Sequence, residues 1–151
     1  MINSHGGNEE IMGIVARELR VSQNMLVVKT AWSRFGAPDG MLGDLEKRHG
    51  IHGGDMETSM VLHFRPELVV HNKVEDFVSI TARDEQLFKH IRPTGTHAYA
   101  WIASDLNPAG AVGNAAAATA ERGKAFAEAE VTGMLELLSE VERIPLPGAR
   151  E

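Results

Sequence analysis

The stretch Asn3-Ser4-His5-Gly6-Gly7-Asn8-Glu9-Glu10 sets the reading of the whole chain, because it joins an imidazole, two glycines and a helix start within eight residues of the N-terminus. Glycines after a histidine let the backbone turn tightly and come close to a ligand. Asn8 followed by two glutamates has the pattern of an N-cap with acidic residues in the first helical turn. From Glu9 to Arg20, Ile11, Ile14, Val15 and Leu19 recur at helical spacing, which predicts an amphipathic helix. The almost continuous apolar run Met25–Ala31 then has the length and character of a buried strand. Helix followed by buried strand is the grammar of an α/β protein.

At 151 residues, with 43% hydrophobic and 24% charged residues, the chain can bury the core of one domain, residues 1–151. Its net charge of -6 comes from 21 acidic and 15 basic residues with no Lys/Arg run, so neither nucleic acid nor an anionic membrane is indicated as a partner. Without cysteine there are no disulfides, thiolate metal sites or cysteine nucleophiles, and His and carboxylates remain as the strong metal ligands. No stretch approaches the roughly 18 apolar residues of a membrane span, and a cytoplasmic location is expected.

Further along, Trp32 to Gly43 begins where the apolar run ends, the usual place for binding residues in an open parallel sheet. A short helix is expected near Met41–Arg48. His49-Gly50-Ile51-His52-Gly53-Gly54 then forms a second loop pairing imidazoles with glycines, and Asp55 is expected to cap the next helix. On that helix Glu57 shares an i, i+3, i+4, i+7 stripe with Met60, Val61 and Phe64, which predicts a carboxylate on the inner, apolar face. Pro66 sets its end at Arg65. Short strands are expected at Leu68–Val70, Asp76–Thr81 and Tyr99–Ala103, and a turn of helix at Glu85–His90. Asn114 is the expected cap of a long alanine-rich helix with an apolar seam of Ala127, Val131, Met134, Leu138 and Val141, ended by Pro145 and Pro147.

Taken together, these segments resemble the creatininase family of metal-dependent amide hydrolases. Asn3–Asn8 is similar to the family's Asn-Gly-His-Gly-Gly-Asn turn, and His52-Gly53-Gly54-Asp55-Met56-Glu57-Thr58-Ser59 to its His-Ala-Gly-Glu-x-Glu-Thr-Ser segment. Met60 to Val69 continues that segment. Gly110-Ala-Val-Gly-Asn114 through Ala118 to Gly123 is similar to the family's C-terminal signature. Ser4, Gly53 and Asn114 depart from the family's glycine, alanine and aspartate.

The resemblance implies a creatininase-like three-layer α/β/α fold with a mostly parallel sheet. It also implies a site of two divalent metals (zinc, manganese or iron) that activates water for attack on an amide carbon. Carried over by position, His5 is a metal ligand, Glu57 a metal ligand or a carboxylate supporting one, and His52 polarises the carbonyl or protonates the leaving nitrogen. Gly6, Gly7 and Asn8 shape the site; Trp32, which no motif match places, is a candidate pocket wall from its position where the apolar run ends. The family's Glu-x-His pair and bridging Asp have no counterpart before His5. The chain therefore resembles the C-terminal part of the family fold, lacking its N-terminal strands. A small amide substrate and either a homo-oligomer or a complementing N-terminal segment are the expected partners. The alternative is a non-catalytic relative acting as a structural or partner subunit.

Overall fold

A computed structural model describes residues 1–146 and Gly148. The chain divides into two compact units, the first Met1–Ala37 with Glu128–Glu151 and the second Pro38–Ala127.

In the first unit, β1 (Ile2–Asn3) leads through the turn of 3-10 helix Gly6–Asn8 into α1 (Glu9–Gln23), and the chain returns to β2 (Thr30–Ala31). Parallel strands need a crossover between them, and α1 is that crossover. Ile2 pairs with Thr30 and Asn3 with Ala31. The Met25–Ala31 run thus enters a ladder only at its last two residues, because β1 offers only Ile2 and Asn3 as partners. Asn24, left-handed at φ 51°, ends α1, a conformation Asn tolerates better than most residues. The α1 helix is amphipathic as expected, but Ile11, Ile14 and Val15 on its apolar stripe are exposed.

The second unit is built from α2 (Asp44–His49), α3 (Asp55–Phe64), α4 (Thr81–Leu87) and α5 (Ala103–Leu106), with β3 (Asp76–Phe77) and β4 (Gly113–Asn114) paired antiparallel. Among the described residues the strand pairing is therefore split between one parallel and one antiparallel pair. The strands expected at Leu68–Val70 and Tyr99–Ala103 do not form. Pro66–Leu68 closes a 3-10 turn, and Ala103 already begins α5. The helical turn expected at Glu85–His90 forms earlier, as α4. The apolar core of this unit is Leu106, Val112, Ala115 and Phe126, each 3% exposed or less.

The long helix α6 (Ala120–Arg143) runs through Ala127 in the second unit and from Glu128 in the first. Its start differs from expectation. Asn114 caps the 3-10 turn Ala115–Ala117 by accepting from the Ala117 amide at 3.2 Å, and Thr119 Oγ1 accepts from the Arg122 amide at 3.2 Å. The buried side of α6 carries Gly123, Phe126, Glu130 and Met134, whereas Val131 and Leu138 of the expected seam are half exposed. Pro147 lies outside the described residues. No helix among the described residues is long and apolar enough to cross a membrane.

Candidate active site

The His5 turn is shaped by Asn3, whose side chain is buried at 4% exposure. Its Oδ1 accepts from the His5 amide and from Asn8 Nδ2, both at 3.1 Å, while its Nδ2 donates to the His5 carbonyl at 2.7 Å. A buried amide with its donors and acceptor engaged holds one backbone path. The imidazole of His5 is exposed, and its Nδ1 accepts from the Gly7 amide at 3.3 Å. Gly7 lets that ring lie close, since a Cβ there would stand 3.2 Å from it. Asn8 occupies the N-cap position of α1 as expected but makes no side-chain cap bond, its amide being turned to Asn3 instead.

Glu9, the first residue of α1, takes Lys29 at 3.0 Å and Arg34 at 2.8 Å. The Lys29 hydrogen bond, opposed by partial burial and aided by Asn3 and the Arg34 charge, holds its carboxyl below the ordinary value. Trp32, half-buried, opens the 3-10 turn Trp32–Phe35 directly after β2. His5, Gly6, Gly7, Asn8 and Trp32 all belong to the first unit.

His52 and Glu57 belong to the second unit. The half-buried His52 lies on the turn before α3 and pairs through its backbone with Val112, donating at 3.1 Å and accepting at 2.6 Å. Gly53 follows at φ +68°, a conformation that favours glycine. The Gly53 amide donates to Glu57 Oε2, so the carboxylate folds back over the turn that carries His52.

Glu57 is exposed, not on an inner face, and Val61 and Phe64 of its stripe are exposed too. The packed side of α3 is polar and small. Asp55 and Ser59 are buried against the start of α6, where a Cβ on Gly123 would collide with the Ser59 backbone carbonyl. Periodicity marks one stripe, and the close helix contact takes the other. Asp55, expected as the cap, is the first helical residue, with Gly54 at the cap position. Its carboxylate receives Arg122 Nε at 3.0 Å, a second bond from Arg122 Nη2, and Ser59 Oγ at 3.1 Å.

Three residues of α2 just before the His52 turn have roles the sequence does not reveal. His49 is buried, with Nδ1 2.9 Å from Thr81 Oγ1 and Nε2 3.1 Å from Glu85 Oε2. Arg48 joins Glu85 at 2.7 Å. Burial would raise the Glu85 carboxyl, but His49 and Arg48 together pull it below its ordinary value. Glu46 is engaged by the amides of Asp55 at 2.7 Å and Asn114 at 2.8 Å. Among the described residues, no three His, Asp or Glu side chains form a group able to hold a metal ion.

A β-α-β crossover in the first unit, with helices and a short antiparallel strand pair in the second, makes this an α/β protein. The chain belongs to the creatininase (creatinine amidohydrolase) family, whose profile matches residues 1–138. It is 30% identical over 128 residues to the mycofactocin precursor peptide peptidase of Mycobacterium ulcerans, a match covering 84% of this chain and 42% of that protein. The fold is similar to a Bacteroides fragilis protein assigned as a creatinine amidohydrolase, at TM-score 0.66 and 24% identity, covering 96% of this chain and 54% of that one. It is also similar to a manganese creatininase, at TM-score 0.58 and 22% identity, covering 97% and 55%. The chain thus spans about half the length of the relatives it matches or less.

Proposed function

We propose that this chain is the part of a metal-dependent amidohydrolase that carries the two His-Gly-Gly turns, and that it hydrolyses a C–N amide bond once a complementing N-terminal segment supplies the remaining ligands. Residues 1–151 are read as one domain of the three-layer α/β/α family fold. The observation that carries the proposal is the pair of turns. The first holds an exposed imidazole, His5, against the Gly7 amide, and the second carries the half-buried His52 together with an exposed carboxylate, Glu57, that accepts from the Gly53 amide.

The donor set suits zinc, manganese or iron, since imidazole and carboxylate are their ordinary ligands. His5 and Glu57 are the ligands from this chain. A metal pair held by the complete ligand set would supply activated water and charge stabilisation for the oxyanion. The chain's own residues prepare the site. With Nδ1 accepting from the Gly7 amide, neutral His5 carries its proton on Nε2. Gly53 holds Glu57 by one carboxylate oxygen. His52 faces the amide, polarising its carbonyl or protonating the leaving nitrogen, and Trp32 walls the pocket. Gly6, Gly7 and Asn8 keep the first turn open.

The test is metal content. The chain purified with its natural partner is expected to hold about two metal ions per site, as two-metal chemistry requires, and His5→Ala is expected to lower that content. Unchanged metal content in His5→Ala removes His5 from the ligand set. Absence of both metal and amide hydrolysis in the unmutated complex sinks the proposal.

A further inference from the structure

We propose that Glu46 is a positioning residue for His52, a side chain that fixes the catalytic turn without touching substrate; this role depends on His52 acting on the amide as proposed for the site. Glu46 lies on α2, yet its carboxylate is spent on two other segments. Oε1 accepts from the Asp55 amide at 2.7 Å, and Oε2 accepts from the Asn114 amide at 2.8 Å. Asp55 opens α3 directly after the His52 turn, and Asn114 belongs to β4, two residues from the Val112 that pairs with His52. One carboxylate therefore ties both sides of the His52–Val112 bridge to a third element.

Glycines make room for it. A Cβ on Gly50 or Gly54 would run into the Glu46 carboxyl, and one on Gly113 would stand 2.8 Å from Oε1 and 2.7 Å from the Gly54 Cα. The glycines that bracket His52, Gly50 before it and Gly54 after it, are thus the walls of the Glu46 seat. A carboxylate accepting backbone amides makes a charge-assisted bond, stronger than a neutral one. Glu46 also differs from the carboxylates that serve only helix or surface, because its partners lie 9 and 68 residues away.

Glu46→Gln keeps the shape but replaces one oxygen by an amide group that can only donate, so one of the two backbone amides loses its acceptor. Amide hydrogen exchange on the full chain reads the result. Protection at His52 and Val112 is expected to fall at least about tenfold, the scale of losing one charged hydrogen bond, while the interior amides of α3 and α6 keep theirs. The His52 ring resonances should shift in the same variant. Gly50→Ala, which leaves the carboxylate intact but places a methyl where it lies, should reproduce the local loss and keeps the test open if the first variant folds poorly.

In the chain joined to its natural partner, with creatinine as probe substrate, Glu46→Gln is expected to lower kcat about tenfold with KM little changed, the signature of a misplaced group rather than lost binding. Wild-type protection at His52 and Val112 in both variants overturns the proposal, as does a loss of protection spread evenly over residues 38–127. No turnover by the unmutated complex counts against the functional reading and leaves the exchange pattern to decide the role of Glu46.

Discussion

Arg122 and Asp55 form a two-pronged ion pair between the first turns of α6 and α3, with Asp55 only 4% exposed at its side chain and Arg122 26%. The same Asp55 carboxylate takes Ser59 Oγ, Ser59 Oγ in turn accepts from the Thr119 amide, and Arg122 reaches the Met41 carbonyl. The polar side of α3 is therefore sealed by one guanidinium, which also lies 5.7 Å from the Phe126 ring centre.

Removing one partner of such a pair leaves a buried charge without compensation. Arg122→Ala is expected to cost about 3 kcal/mol, the lower end for a buried pair because Arg122 is a quarter exposed. Arg122→Lys should recover little, since an ammonium lacks the planar fork that meets both Asp55 oxygens and the Met41 carbonyl. Urea unfolding of both variants measures this, and full recovery by Lys would show that charge alone matters.

Why this knot is invisible in the sequence follows from the kind of contact it is. Hydrophobic periodicity finds faces that bury apolar side chains. It finds α1, the span of α3 and its stop before Pro66, and the presence of α6 though not its start. It picks the wrong side of α3 because the real contact is small and polar, Asp55 and Ser59 set against Gly123. The strand expected at Met25–Ala31 shrinks to Thr30–Ala31 for a different reason, namely that pairing needs a facing strand and β1 offers two residues. In the candidate site the two imidazole–glycine turns are legible from composition and order. Glu46 is not, because a carboxylate whose partners are backbone amides leaves no pattern in side-chain identities.

Glu9 sets the acid limb of stability in the first unit. Its carboxyl is held below the ordinary value of 4.5, first by the Lys29 hydrogen bond and also by Asn3 and Arg34, against a smaller opposing effect of burial. A carboxyl with a lowered folded-state pKa stabilises the protein above its unfolded value and loses that contribution as pH falls through the folded value. Glu9→Gln is therefore expected to be less stable than wild type at neutral pH and to approach it as the solution is acidified below 4.5. Thermal melting followed over that range reads the convergence; parallel curves for the two proteins would mean that Glu9 gains nothing from its partners.

Glu130 should behave in the opposite sense. It sits at 5% exposure on the buried side of α6, in line with Met134, and burial raises its carboxyl above the ordinary value of 4.5. Burying the ionised form is unfavourable. With the folded-state pKa above the unfolded one, the group's contribution is fully present below 4.5 and is lost as pH rises through the folded value. At neutral pH wild type therefore carries a penalty that Glu130→Gln, uncharged and of the same shape, does not. The variant is expected to be the more stable protein at neutral pH, with the difference shrinking as the solution is acidified below the ordinary carboxylate range. Urea unfolding of the two proteins across that interval provides the measurement. A variant less stable than wild type at neutral pH would mean that the fold holds the Glu130 charge favourably, the reverse of a burial penalty.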